Sequence, residues 1–318
     1  MNNLSENKEL NGRVALVSGG ARGIGLAISR SLVAHGAKVV IADVGSSING
    51  DSFDTSVAES VAQEMGDDAI AYTESIADPL TAQAAVELAI KKFGALDILV
   101  NNAAILRDSF IFKSEPEDFD AVLKTNLAGA WYLTNAATPT MRQHSKENRG
   151  GEPYSWGRVI NITSTAGFYG NYGQSSYASA KSGMLGLMRT TAMDLSRAGI
   201  TCNAIAPFAA TRVTETIIPA NEEQSTYKER ALKISPNHIA MVVSWLCSLK
   251  GQSINGQLLG VRGREIFLFS QPRPVAKIVN SEADWNIDTL SASATEVFGP
   301  HYIDMRTDLE AFNTEPNV

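Results

Sequence analysis

The chain has 318 residues, 44% hydrophobic and 19% charged, with a net charge of -7. That is ample apolar material for a buried core, and the acidic balance argues against nucleic acid or an anionic membrane surface as the main partner. No long apolar run is present, and the polar start MNNLSENKELNG lacks the apolar core of a secretory signal, so a cytoplasmic protein with no membrane segment is expected. Cys202 and Cys247 lie in apolar segments and read as reduced core residues. The four histidines show no metal-ligand spacing, so no metal site is expected.

From Arg13 the chain alternates strand-length apolar runs with helical patterns: RVALVSGG, GIGLAISRSLVAHG, KVVIADV. Further strands are predicted at about 69–74, 96–102, 157–164, 200–207 and 256–261, with long helices at about 117–143 and 176–197. Nearly continuous apolar strands separated by helices imply a parallel sheet covered on both faces. The expected fold is therefore α/β, a doubly wound parallel sheet of Rossmann type, in a single domain over 1–263 with a C-terminal extension over 264–318. The stretches 43–54 and 142–157 read as surface loops.

The turn after the first strand, Ser18-Gly19-Gly20-Ala21-Arg22-Gly23-Ile24-Gly25, opens directly into a helix. Glycine there permits a tight turn and lets a pyrophosphate approach the backbone amides of a helix N-terminus, which assigns Gly19, Arg22, Gly23, Ile24 and Gly25 to a dinucleotide. Asp43 ends the second strand, where it accepts from the adenosine ribose and repels a 2′-phosphate; this favours NAD. Arg22 pulls the other way, since a guanidinium in the loop suits a 2′-phosphate, or else partners Asp43.

Tyr177 and Lys181 are four residues apart in a helix-favouring run, so they share one face. An ammonium beside a phenol is expected to lower its pKa, making Tyr177 a candidate acid/base. Ser164, ending the strand-like run GRVINITS, is placed to bond the oxygen of the same carbonyl or alcohol.

Together the glycine loop, Asn101-Asn102-Ala103-Ala104, Asn126 in KTNLAG, Ser164, Tyr177, Lys181 and Ile205-Ala206-Pro207 resemble the short-chain dehydrogenase/reductase family over about residues 11–263. The resemblance implies Tyr177 as proton donor and acceptor, Ser164 as carbonyl positioner, Lys181 on the nicotinamide ribose, and Asn126 supporting a relay water. It further implies Asn102 and Ala103 lining the cofactor trough, Glu74 and Ser75 near the adenine, and Pro207, Ala210 and Thr211 flanking the nicotinamide. Ala104 and Phe208 depart from the pattern, each standing where glycine is usual. Within the family, NNAAILRDSF, YGNYGQSSYASAKSGMLGL and TCNAIAPFAATRVTETIIP resemble the (3R)-hydroxyacyl-CoA dehydrogenase or 17-beta-hydroxysteroid dehydrogenase units of type 2 peroxisomal multifunctional enzymes.

The expected activity is oxidation of a secondary alcohol, or reduction of the ketone, on a bulky hydrophobic substrate: a 3-hydroxyacyl-CoA, a hydroxysteroid or an alicyclic or terpene alcohol. An NADPH-dependent ketoreductase and a non-catalytic dinucleotide sensor are the alternatives. Substrate shape should be set by 165–175 and by the stretch after Phe208, with Ile217, Ile218 and Pro219 either an apolar lid or part of a short amphipathic helix packed on the core. Arg262, Arg264, Arg273 and Lys277 form a cation cluster that either meets the phosphates of coenzyme A or makes a solvated or subunit-contacting face. Apolar residues beyond one buried stripe in WYLTNAAT and LGLMRTTAM predict a homodimer or homotetramer.

Overall fold

The apolar runs become strands because the pleated core takes β-branched side chains on both faces at once. The computed structural model describes residues 8–216, 219, 221–281 and 284–318. The expected lid residues Ile217 and Ile218 lie outside them. Among the described residues one sheet holds β1 (Val14–Ser18), β2 (Lys38–Ala42), β3 (Ala69–Tyr72), β4 (Ile98–Asn101), β5 (Gly157–Ile162), β6 (Ile200–Phe208), β7 (Leu258–Arg262) and β8 (Glu265–Leu268). Their order is β3-β2-β1-β4-β5-β6-β7-β8, parallel except for β8. The order reverses between β1 and β4, and the crevice at that switch point is where such sheets take ligands.

The helices are α1 (Gly23–Ala34), α2 (Ser56–Met65), α3 (Pro79–Phe93), α4 (Pro116–Leu123), α5 (Gly129–Lys146), α6 (Ala166–Tyr169), α7 (Ser175–Leu195), α8 (Arg212–Thr216), α9 (Glu222–Ala231), α10 (Asn237–Cys247), α11 (Ile287–Val297) and α12 (Asp308–Ala311). On one face α1 and α10 pack over the sheet through Ile28, Leu32, Ile239 and Val243; on the other, α3, α5 and α7 bury Val86, Leu133, Met141 and Met188. Arg158 is fully buried in β5 and donates to the carbonyls of Gly157, Leu246 and Ser248, tying the sheet to the end of α10. Both cysteines are buried and free.

Three differences from the sequence reading have physical causes. The helix expected over 117–143 is broken at Lys124–Ala128, which winds into a π-helical turn, an irregularity typical of functional positions. β8 follows β7 through the two-residue turn Gly263-Arg264, where Gly263 has φ +60, a conformation that suits glycine in a tight hairpin. The loops at 43–54 and 142–157 also do more than cover surface. Leu106 N–H bonds the Ile48 carbonyl, and Arg149 grips the buried Asp97 at 2.6 Å.

The chain to Phe269, joined by Thr307–Val318, forms one compact unit; Ser270–Arg306 forms a second. The second contains α11, whose N-terminus is closed by a capping box between Asn286 and Thr289. In the first, the returning segment 307–318 is fastened to the sheet edge. Arg262 bonds Thr314 and Glu265, Arg230 bonds Asn313 and Glu315, and Lys233 bonds Glu315. Phe312 packs tilted against Phe208 at 4.7 Å and edge-on against Phe267 at 5.6 Å.

Candidate active site

The ends of β1, β2, β4, β5 and β6 open on a cavity of about 360 Å³. Its cofactor end begins at the glycine turn. Gly19 has φ +62, and a Cβ there would stand 2.9 Å from the Ala103 backbone; a Cβ on Gly25 would collide with the Gly19 carbonyl and approach Asn102 Nδ2 at 2.6 Å. Only glycine lets these three segments close together. Asn102 Nδ2 donates to the carbonyls of Ser18 and Gly19, and Ser18 Oγ accepts from the amides of Asn102 and Ala103. Asn102 is thus the clamp that holds the turn as well as a cavity wall. The N-terminus of α1 has no side-chain cap and no acid in its first turn, which leaves it electropositive toward the cavity.

Asp43 accepts from the amide of Ala21 at 2.9 Å and of Gly45 at 2.8 Å, so its carboxylate is fixed against the glycine loop. Arg22 does not pair with it; its guanidinium bonds the carbonyls of Gly45 and Ser46. Ile24, Glu74, Ser75, Ala103, Pro207 and Thr211 also line the cavity. Ala210 does not: its amide is spent on the Ile234 carbonyl. This end, an uncapped helix start with a carboxylate across from it, fits the pyrophosphate and ribose of a dinucleotide.

At the reacting end, α7 brings Tyr177 and Lys181 to one face, as the spacing predicts, and β5 delivers Ser164 opposite. Lys181 is 2% exposed, and its Nζ donates to the Ile162 carbonyl at 2.8 Å, 5.6 Å from the Tyr177 ring centre. Thr163 Oγ1 bonds the Lys181 carbonyl at 2.7 Å, fixing this turn of α7 on β5. Burial pushes the Lys181 ammonium down to about 8. The expected lowering of the Tyr177 phenol does not appear. Burial drives it up to about 12, Asp108 and Asp308 push the same way, and the Ser164 hydrogen bond pulls it down. At neutral pH the phenol therefore carries its proton.

Asn126 stands in the π-helical turn, 1% exposed, and does not line the cavity. Its amide accepts from Ile105 N–H at 2.8 Å and donates to the Ile105 carbonyl at 2.9 Å. That pair of hydrogen bonds joins the turn between α4 and α5 to the segment after β4.

The structure adds residues that no local motif marks. Ile48 from the 43–54 loop, Tyr227 and Arg230 from α9, and Asp308, Leu309 and Phe312 from the returning C-terminus all line the cavity. Of the cations expected to meet coenzyme A, Arg262 lines the cavity but is 4% exposed and held by Glu265 and Thr314, while Arg273 and Lys277 belong to the other unit. Phe208, the departure from glycine, is buried under Phe312.

A family model described as short chain dehydrogenase matches residues 13–224. A hydroxyacyl-CoA dehydrogenase, ChsB1, of Mycobacterium tuberculosis is 33% identical over 290 residues, covering 91% of this chain and 90% of that protein. The peroxisomal multifunctional enzyme type 2 of Drosophila melanogaster is 38% identical over 239 residues, 74% of this chain and 36% of that longer protein. Among solved structures, a 3-ketoacyl-(acyl-carrier-protein) reductase from Brucella melitensis, complexed with NADH, superposes with a TM-score of 0.70 at 29% identity, covering 80% of this chain and 98% of that one. Matched in its fold, in two thirds of its length and in its overall sequence, the chain belongs to the short-chain dehydrogenase/reductase family and is an oxidoreductase acting on CH–OH groups.

Proposed function

We propose that the protein interconverts a secondary alcohol and a ketone on a bulky hydrophobic substrate with NAD as cofactor. The observation that carries this is the shared cavity: Ser164, Tyr177 and Lys181 open into the same space as the uncapped N-terminus of α1 and the fixed carboxylate of Asp43. When bound, the dinucleotide supplies the hydride acceptor or donor. Tyr177 handles the proton of the substrate oxygen, and Ser164 holds that oxygen against the phenol while charge develops on it. Lys181 places a cation behind the phenol and toward the ribose, where it favours phenolate once the site is closed to water. Asn126 acts one step back, keeping the π-helical turn and the Ile105 backbone in register beside α7.

The hydrophobic wall of Phe208, Phe312, Ile234 and Leu309 supports an apolar substrate body. A hydroxyacyl-CoA, the substrate class in the name of the Mycobacterium tuberculosis relative, a hydroxysteroid and an alicyclic alcohol all satisfy it. A second reading, a ketoreductase using NADPH, is favoured by Arg22 and Arg212, which lie together near Asp43 at the ribose end. We expect assembly into a homodimer or homotetramer in the cytoplasm, supported by Trp131 and Met193, which α5 and α7 leave 51% and 77% exposed.

The test is titration with NAD and NADP separately, then reduced-nicotinamide absorbance with 3-hydroxyacyl-CoAs, hydroxysteroids and alicyclic alcohols. Turnover with NAD on one class establishes the reading. Tighter NADP binding with carbonyl reduction replaces it with the second, and light scattering at the mass of one chain, 34.0 kDa, removes the oligomer.

A further inference from the structure

One buried acid in the cavity has no task in the chemistry above. Asp308 opens α12, in the segment that returns to the sheet after Arg306, and it is 8% exposed. Its Oδ2 accepts a 2.7 Å hydrogen bond from Thr165, the residue that follows Ser164. Its Oδ1 is buried and, among the described residues, meets no donor at bonding geometry. The carboxyl borders the cavity together with Ser164 and Tyr177, close enough that its charge acts on the Tyr177 phenol.

Among the described residues no cation pairs with it. The guanidinium of Arg262 is taken by Glu265 and Thr314, and that of Arg230 by Asn313 and Glu315. Burial pushes the Asp308 carboxyl up, and only the Thr165 hydroxyl and the amides of Asp308 and Leu309 oppose this. A buried acceptor left without a donor costs stability, and such a group calls for a completing partner, whether a water, an ion or a ligand. Here Phe312 and Leu309 lie on the same short segment, so apolar side chains flank the carboxyl, while the Tyr227 phenol and the engaged guanidiniums of Arg230 and Arg262 stand on the same cavity wall.

We propose that Asp308 is a substrate-selecting residue: its free Oδ1 accepts a hydrogen bond from a second hydroxyl of the substrate, carried close to the reacting carbinol. This rests on the alcohol-oxidoreductase reading and narrows it, from any bulky secondary alcohol to a diol or hydroxyketone. The Thr165 bond fixes the carboxyl relative to Ser164, so the second hydroxyl is read in register with the first. A substrate without that hydroxyl leaves the acid unpaired in a closed cavity, which is the situation in which enzymes discriminate most strongly.

The experiment compares a vicinal decalin diol, its monomethyl ether and the mono-alcohol in two assays. One is kcat/KM with NAD; the other is binding to the protein·NADH complex, followed by nicotinamide fluorescence, which needs no turnover. The wild type should favour the diol over the mono-alcohol by roughly 10- to 100-fold. Asp308→Leu should erase that preference while leaving the affinity for NADH unchanged. Asp308→Asn should invert it. With its amide oxygen kept on Thr165, its NH2 faces the cavity and should favour the ether, which can only accept.

Equal handling of diol and mono-alcohol by the wild type in both assays overturns the inference, as does a diol preference that survives Asp308→Leu. An Asp308-dependent diol preference in binding without turnover of any alcohol overturns the oxidoreductase reading and leaves the inference standing. Circular dichroism of both variants separates lost selection from lost folding, and the asparagine variant, nearly isosteric, keeps the test decisive if the leucine variant misfolds.

Discussion

The returning C-terminal segment is held against the catalytic unit by one aromatic contact above the others, Phe208 with Phe312 at 4.7 Å and a 57° tilt. Phe208 is 6% exposed, so Phe208→Ala should cost about 3–5 kcal/mol, the usual range for a buried phenylalanine. Phe312 is only partly buried, and Phe312→Ala should cost about half as much, ~2 kcal/mol. An aromatic pair at this separation couples by about 0.5–1.5 kcal/mol beyond its area. The double variant should therefore lose less than the sum of the singles, because the second truncation removes a contact already gone. Urea unfolding of the wild type, both singles and the double measures the coupling directly. With loosened 307–318, Phe312→Ala should also raise the KM for substrate while leaving NAD affinity unchanged. Additivity within about 0.3 kcal/mol would refute the reasoning, since the segment would then not rest on Phe208.

Tyr177→Phe keeps the ring and removes the exchangeable proton; kcat should fall by about 10²–10⁴ with NAD affinity retained, and near-normal turnover would show that another group handles the proton. Lys181 gives a signed pH effect. Its folded pKa of about 8 lies below its ordinary 10.5, so the cost of burying the cation is fully present below pH 8 and is relieved as pH rises from 8 toward 10.5. Relative to Lys181→Met, the wild type should gain stability across that window, by up to about 3 kcal/mol. Urea unfolding at pH 7.5 and 9.5 that leaves the gap unchanged would contradict it. Asp97, 0% exposed, accepts from Val14 N–H and from Arg149 beside Arg13. Asp97→Asn keeps an acceptor for Val14 but removes the charge that answers Arg149 and Arg13, and should cost about 2–4 kcal/mol of stability without altering KM.

What the sequence discloses and what it hides divide along a physical line. Gly19, Gly25, Ser164, Tyr177 and Lys181 are legible because each answers to local geometry: a turn, a strand end, one face of a helix. The seven parallel strands are legible because burial on both faces writes an unbroken apolar run. β8 is not, since its pattern is short and alternates at a sheet edge, with Ile266 and Leu268 exposed. Asp308 and Phe312 are invisible for a different reason. They act on Thr165 and Phe208 across 143 and 104 residues of chain, and no local periodicity records such a contact. Phe208 is the one trace: a large ring where glycine is usual needs a cover, and the cover comes from the far end of the chain.

The charges around the cavity follow the same division, and they make a further outcome calculable in sign. Arg22 and Arg212 stand at the cofactor end and Lys181 at the reacting end, whereas Asp308 shares the far wall with Arg230 and Arg262, whose guanidiniums are already held by Asn313, Glu315, Glu265 and Thr314. An adjoining cavity of about 590 Å³ is bordered by Asp108, Glu223 and Glu310, with no lysine or arginine among its lining residues. An incoming substrate bearing phosphates is thus repelled at the mouth, and a neutral hydroxylated one is not. Raising the salt from about 0.01 M to 0.1 M shortens the screening length from roughly 30 Å to 10 Å. For any coenzyme A ester that is turned over, KM should fall across that range, while KM for an uncharged alcohol should stay flat. A coenzyme A KM that rises with salt would mean that cations receive the phosphates after all, and the acidic mouth would then have to lie away from the path of entry.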